Sequence, residues 1–404
     1  MKDAYRKALA WLYGTQNRGV KLGLDNIRYL LAKMDDPHHR LRFLHVAGTN
    51  GKGSVCAMLD SICRAGGLRS GLFTSPHLVR FNERIRVQGE PMQDDEVARG
   101  IERIRQLIEH QRHPTFFEIT TALALEHFLR ERVDIVILET GLGGRLDATN
   151  VVTPMVSILT AIDLDHQKWL GNSLGEIAKE KAGIIKFKVP VVSGPQFSEV
   201  HAAIDAVAIR EQTRIRYVEK PLQDIPIPFP GRHQKINAAI AVAALEEAVL
   251  PFDLSAIKQG LQCTLWPGRF HEIEPDLILD GAHNPSASRQ LVETWKECRG
   301  GIKPTIIFGA LRDKDLSGML AALKPIAREF FVVPVRNQRA ASTGEINALL
   351  PAGIPGASFD SVSDALGAAR RVPRPVLVTG SLFLVGEILA LLQPGKGGFQ
   401  SSLQ

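Results

Sequence analysis

At 404 residues, 45% apolar and 23% charged, the chain can bury large cores and suits two or three domains. A net charge of +6, with no basic run interleaved with aromatics, argues against nucleic acid and is compatible with anionic substrates. The N-terminal stretch lacks a signal-peptide core and no apolar run reaches about 18 residues, so a cytoplasmic protein off the membrane is expected, with Cys56, Cys63, Cys263 and Cys298 as reduced, buried thiols.

In chain order, residues 1–41 read as helices with a break at Lys21-Leu22-Gly23-Leu24-Asp25. Phe43 to Ala47 is a short apolar run bounded by glycine, the pattern of a buried strand. Gly48-Thr49-Asn50-Gly51-Lys52-Gly53-Ser54 follows, and Val55, Met58, Leu59 and Ile62 then fall at helical spacing. Strand, glycine-rich turn and helix make a phosphate cradle, because glycines let N–H groups approach an anion and the helix N-terminus adds positive potential. Lys52 would reach the terminal phosphates and Ser54 would offer a hydroxyl to Mg²⁺. The strict G-x-x-x-x-G-K-[ST] pattern is not met: Val46 stands at the first glycine, and Gly53 separates Lys52 from Ser54.

Arg69 to Thr74 is a second strand, stopped by Pro76, which should leave Ser75 and His77 exposed at its carboxyl end. Residues 93–131 read as two helices joined near Thr115. Val133 to Leu138 is a near-continuous apolar run of the kind covered on both faces, and it ends in Glu139 and a glycine-rich loop. Met155 to Thr160 is a further strand, with Asp163, Asp165 and His166 just beyond. In an open parallel sheet ligands bind outside the carboxyl ends of the strands, so one crevice should gather the glycine loop, Ser75, Glu139 and His166. That donor set suits Mg²⁺ only with water and phosphate oxygens completing the shell, and His166 could equally hydrogen-bond a phosphate.

A helix from Leu174 to Lys181 follows, then strands and a proline-rich loop over 187–230. Asn237 lies near the start of an alanine-rich helix, where it could cap. The segment Leu265 to Phe270 is the best domain boundary, dividing 1–265 from 266–404. Beyond it, strands at 276–279, 304–309, 329–335 and 375–379 alternate with helices, a smaller Rossmann-like α/β unit. Residues 395–404 read as a disordered tail.

The motifs HVAGTNGKGS (45–54), TSPHL (74–78), ETGLGGRLDATN (139–150), GEIAKEKAGI (175–184), PGRHQKINAAIA (230–241), WPGRF (266–270) and DGAHN (280–284) together resemble those of folylpolyglutamate synthase/dihydrofolate synthase. These enzymes share their phosphate loop with the UDP-muramoyl peptide ligases. The latter are disfavoured here because Gly48 comes too early to leave room for a UDP-binding domain. The resemblance implies an N-terminal P-loop ATPase domain with a mainly parallel sheet, a C-terminal Rossmann-like domain, and substrate held between them. It implies a monomer that joins L-glutamate to dihydropteroate or tetrahydrofolate through an acyl phosphate. ATP would contact Gly51, Lys52, Gly53, Ser54, Asn237, Arg269 and Asp280. Two Mg²⁺ ions are expected, with Ser75, Glu139 and His166 as ligands and Lys181 carbamylated. Lys52, Lys181 and His283 would take part in catalysis. The pteroate would lie near Leu22, Gly23, Leu24, Thr115, Ala148, Thr149 and Asn150. The Leu22-Gly23-Leu24 element resembles that of family members with both activities, although a glycine between leucines is also a plain helix break.

Overall fold

A computed structural model describes residues 2–18, 22–109, 112–393 and 399–400. Lys21, and residues 395–398 and 401–404 of the expected tail, lie outside the described residues. The first sheet contains β1 (Phe43–Ala47), β2 (Ser70–Phe73), β3 (Ile85–Val87), β4 (Glu90–Pro91), β5 (Ile135–Glu139), β6 (Val156–Leu159), β7 (Val191–Ser193) and β8 (Ile215–Tyr217). Their spatial order is β4-β3-β2-β5-β1-β6-β7-β8, parallel except for the β3 and β4 hairpin at one edge. A second sheet holds β9 (His271–Glu274), β10 (Leu277–Leu279), β11 (Thr305–Phe308), β12 (Glu329–Val332), β13 (Gly356–Ser358) and β14 (Val376–Thr379). It runs β13-β12-β11-β14-β10-β9, with only β9 antiparallel. The chain is α/β throughout, an N-terminal and a C-terminal domain each built on a mostly parallel sheet.

Burial on both faces explains the apolar runs. Phe43, Val136 and Leu138 join a core on one face with the helices Asp25–Lys33, Asp94–Leu107 and Phe116–Arg130. Leu44, Val46 and Ile137 point the other way, against the helices Lys52–Ala65 and Arg232–Glu247. Each such Val, Leu or Ile stabilises the fold by about 1.5–3 kcal/mol relative to exposure.

Several expectations change. A helix, Ser198–Arg210, separates β7 from β8, and another, Leu254–Gln262, precedes the second sheet. Cys56 and Cys63 are buried as expected, but Cys263 and Cys298 are exposed. His77 is not exposed: it is 3% accessible, with Nδ1 accepting from Arg84 Nε at 2.8 Å. Its Nε2 donates to the carbonyl of Gln400 at 2.7 Å. Gln400 also donates its N–H to Val79 O at 2.8 Å and accepts the Phe81 N–H on Oε1 at 2.9 Å. Phe399 packs on the C-terminal core beside Leu78. Two residues of the expected disordered tail are therefore pinned, Phe399 by apolar packing and Gln400 because it satisfies polar groups the Ser75 loop would otherwise bury.

Candidate active site

Both sheets turn strand ends toward one cleft of about 1010 Å³. The glycine loop leaves β1 with Gly48 at φ +154°, where a Cβ would meet Thr160 Oγ1 at 1.8 Å. Thr49 and Asn50 donate their N–H groups to Ala161 O at 2.8 and 3.1 Å, which fastens the loop to the end of β6. Gly51, at φ +91°, starts the helix Lys52–Ala65 without a side-chain cap. Its first-turn N–H groups and its dipole are thus left for an anion. Lys52 Nζ rests on the carbonyls of Gly48 and Thr49 at 3.1 and 3.3 Å, within its own loop.

Glu139 ends β5, 3% accessible, and its Oε2 accepts the Ser75 N–H at 2.9 Å. Burial raises its pKa, against the pull of Lys52, the Ser75 amide and Arg269. A cation at the cleft would relieve that cost, so the oxygen donors fit a divalent metal. His166 holds left-handed backbone at φ 53°, a conformation side-chain-bearing residues adopt at a cost. Burial, then Lys314, lowers its pKa to about 3, so the neutral, ligating form dominates. Lys181 is 4% accessible and donates to Gly48 O at 2.7 Å. Burial, then Lys52, lowers its pKa to about 7.

The second sheet adds two loops. Asp280, at the end of β10, accepts from the N–H of Phe270 at 2.8 Å and of Ala282 at 2.9 Å. Burial raises its pKa while Arg269 opposes the rise; Arg269's own pKa is lowered by burial. His283 sets Nδ1 against Gly281 O at 2.8 Å and Nε2 3.8 Å from Asp165 Oδ2. Burial, then Lys314, lowers its pKa to about 4. Asn284 reaches across to Asn50 Oδ1 at 3.0 Å and Asp165 Oδ2 at 3.3 Å. Lys314 Nζ pairs with Asp165 Oδ1 at 2.6 Å, both side chains under 10% accessible. Burial alone would raise the Asp165 pKa, but Lys314 and the two histidines hold it well below the carboxylate range.

Sixteen of the sequence-predicted residues line this cleft: Leu22, Gly23, Gly51, Lys52, Gly53, Ser54, Ser75, Thr115, Glu139, Ala148, His166, Lys181, Asn237, Arg269, Asp280 and His283. Asn237 is not a cap, since Gly231 occupies that position; it donates to Gln234 Oε1 at 3.0 Å. Leu24, Thr149 and Asn150 are outside the lining. Leu24 packs on the core, and Asn150 Nδ2 ties the carbonyls of Arg145 and Gly183 at 2.9 and 3.0 Å. Thr149 donates to Asp147 Oδ1 at 2.5 Å, and its hydroxyl meets His45 Nε2 at 2.8 Å. These two residues thus stand behind the lining and shape the wall. Asp147 was missed: its Oδ2 gathers the Gly141 and Leu142 N–H groups at 2.9 and 2.8 Å and fixes the glycine-rich loop. Asn50, Asn284 and Lys314 were missed too. Lys314 comes six residues after β11 ends at Phe308, beyond the reach of a strand-end rule.

Profiles of the Mur ligase middle domain and of the Mur ligase glutamate ligase domain match residues 46–194 and 268–382. The dihydrofolate synthase/folylpolyglutamate synthase of Bacillus subtilis is 35% identical, over 96% of this chain and 99% of its own. A structure of Escherichia coli FolC in complex with DHPP and ADP superposes with a TM-score of 0.88 at 33% identity, covering 96% of this chain and 98% of that one. The bifunctional Yersinia pestis enzyme complexed with AMPPNP and Mn ion gives 0.87 at 34%, with the same coverages.

Proposed function

The chain belongs to the folylpolyglutamate synthase/dihydrofolate synthase family of the Mur ligase superfamily, and on that premise we propose how its cleft works. It is an ATP-dependent ligase that joins glutamate to a folate, and it uses a divalent metal. The observation that carries the reading is the convergence of the glycine loop, Glu139, His166 and Asp280 on one cleft between two domains.

The folate-type carboxylate attacks the γ-phosphorus of ATP, the bond to the bridging oxygen breaks, and ADP leaves an acyl phosphate behind. Lys52 swings from the Gly48 and Thr49 carbonyls onto the transferring phosphoryl group, and the uncapped helix N-terminus holds the neighbouring oxygens. Asn237, Arg269 and Asp280 bind the rest of the nucleotide. Ser75, Glu139 and His166 would hold one Mg²⁺, and a carbamate on Lys181 would support a second, to neutralise phosphate charge. Carbamylation requires a neutral amine to attack CO₂ and lose a proton, and the lowered pKa of Lys181 supplies that amine near neutral pH. The glutamate amine then attacks the acyl carbon and phosphate departs. His283, uncharged at neutral pH, faces this step beside Asp165.

We assign both reactions to this chain: glutamate addition to dihydropteroate, and extension of tetrahydrofolate. Leu22, Gly23, Thr115 and Ala148 line the cleft, and this reading gives them the pteroate, where contacts to pterin and benzoate must replace those of a glutamate tail. Gly23 has φ +147°, which a β-branched residue adopts only at a cost, and nothing lies within 4 Å of an added Cβ, so valine here would both strain the turn and project into open space at the cleft. Steady-state assays with each acceptor test the claim. Gly23→Val should lose the dihydropteroate reaction more than the tetrahydrofolate one. No amide from dihydropteroate in the wild type at saturating ATP and glutamate leaves only the polyglutamate activity. We place the domain boundary at 265/266 and regard the enzyme as a cytoplasmic monomer. Among the described residues no helix is long and apolar enough to cross a membrane.

A further inference from the structure

About 16 Å along the helix Phe116–Arg130 from its cleft end, a second cluster of metal-type donors stands outside the ligase site. Glu96 lies in the first turn of the helix Asp94–Leu107, while His127 and Glu131 are four apart at the end of Phe116–Arg130. A ring nitrogen of His127 and one carboxylate oxygen from each glutamate lie within 4.8 Å of one another. His127 is only 4% accessible, its side chain makes no hydrogen bond, and its Nδ1 is buried without a partner. A buried imidazole is normally hydrogen-bonded or metal-bound, so this one calls for a ligand.

We propose that Glu96, His127 and Glu131 form a binding site for a divalent transition ion of the Zn²⁺ or Mn²⁺ class. One imidazole and two carboxylates suit such ions, and make a set that Mg²⁺ favours less. The glutamate side chains are 19% and 30% accessible, which leaves an entry path and room for water on the open side. Each carboxylate also has outer support. Glu96 Oε1 accepts from Arg130 at 3.3 Å, and its Oε2 accepts the Gln93 N–H at 3.4 Å. Glu131 Oε2 accepts from Arg69 at 2.6 Å, which leaves Oε1 for the ion. Hydrogen bonds of this kind orient ligating carboxylates, and here the two guanidiniums also temper the affinity. None of the three residues lines the cleft, so the ion would staple two helices together and take no part in the ligase chemistry.

The test is Zn²⁺ binding to chelator-stripped protein without nucleotide, read as equivalents bound and by zinc-edge anomalous diffraction. The active-site ligands could take zinc as well, so the comparison is with Glu131→Gln and His127→Gln. We expect the wild type to bind one equivalent more than either variant, with anomalous density between the three side chains. Glu131→Gln should weaken that site by more than about tenfold and leave Mg²⁺-dependent turnover unchanged. Equal stoichiometry in wild type and Glu131→Gln, or no density there, overturns the proposal. Should His127→Gln fail to fold, the part-exposed Glu131→Gln decides alone.

Discussion

In the first sheet four adjacent parallel strands, β2, β5, β1 and β6, end at the cleft with Ser75, Glu139, the glycine loop and the turn to His166. In the second, β10 and β11 send Asp280–Asn284 and Lys314 from the other side. The first set is locked by its own hydrogen bonds: Ser75 to Glu139, Thr49 and Asn50 to Ala161, Lys181 to Gly48. The second reaches the first through Asn284 with Asn50 and Lys314 with Asp165. One half is held rigid at the cleft by its own hydrogen bonds; the other meets it there through a few polar links, and away from the cleft through Leu78 and Val79, which pack on the C-terminal core. Substitutions among the first half's cleft residues should therefore damage chemistry with the fold intact, and substitutions in the links should damage the docking of the halves.

The largest effect should come from Lys52→Ala. Removing a charge that acts in the transition state should cost roughly a thousandfold in kcat/KM, about 4 kcal/mol, with little change in melting temperature. A near-normal rate would take the glycine loop out of the ATP site. Lys314→Ala should behave oppositely and leave Asp165 as a buried charge without its lysine, at about 3 kcal/mol of stability. Differential scanning calorimetry should then separate the two halves into distinct transitions. The pH dependence sharpens this. A carboxyl held below its ordinary pKa adds stability that is present above that value and lost on acidification, so the wild type should shed this part below about pH 4. Lys314→Ala should lack that part of the acid sensitivity.

Smaller is the loss from Glu139→Gln and His166→Ala, each expected to raise the Mg²⁺ concentration for half-maximal activity by roughly tenfold. Unchanged magnesium titrations in both would remove them from the metal seat. The smallest concerns Lys181. With its pKa lowered to about 7, the ammonium form gains as pH falls below 7, and activity in CO₂-depleted buffer should decline and return with bicarbonate. Bicarbonate-independent activity across that range would count against the carbamate, as would full activity of Lys181→Ala.

The legible parts of the fold were those that local pattern dictates. β1, β5 and β6 are buried along their whole length and so read as apolar runs, and glycines at forced backbone positions marked the phosphate loop. The β3 and β4 hairpin escaped because its strands have three and two residues, and β13 because Gly356–Ser358 is exposed at every residue and carries no apolar face. The site divides the same way. Glu139 was found because it ends a buried run, whereas the Asp165–Lys314 pair joins residues 149 apart. No spacing within either segment announces such a partner. His77 misled for a related reason: a proline turn suggests exposure, and while Arg84 holds one ring nitrogen from nearby, the partner of the other, Gln400, comes from far along the chain.

That distant partner has a consequence in the time of synthesis. Gln400 follows His77 by 323 residues, yet its carbonyl, amide and side chain complete the loop that carries Ser75. At ribosomal rates of roughly 5–20 residues per second, the loop waits about 15–65 s after it is made. From the emergence of β8, which ends at Tyr217, the nascent N-terminal domain has every strand of its sheet and its glycine loop but lacks the hydrogen bonds that finish the Ser75 turn. A ribosome-bound chain stopped short of residue 399 should present residues 74–81 to proteases that spare them once Phe399 and Gln400 have emerged and docked.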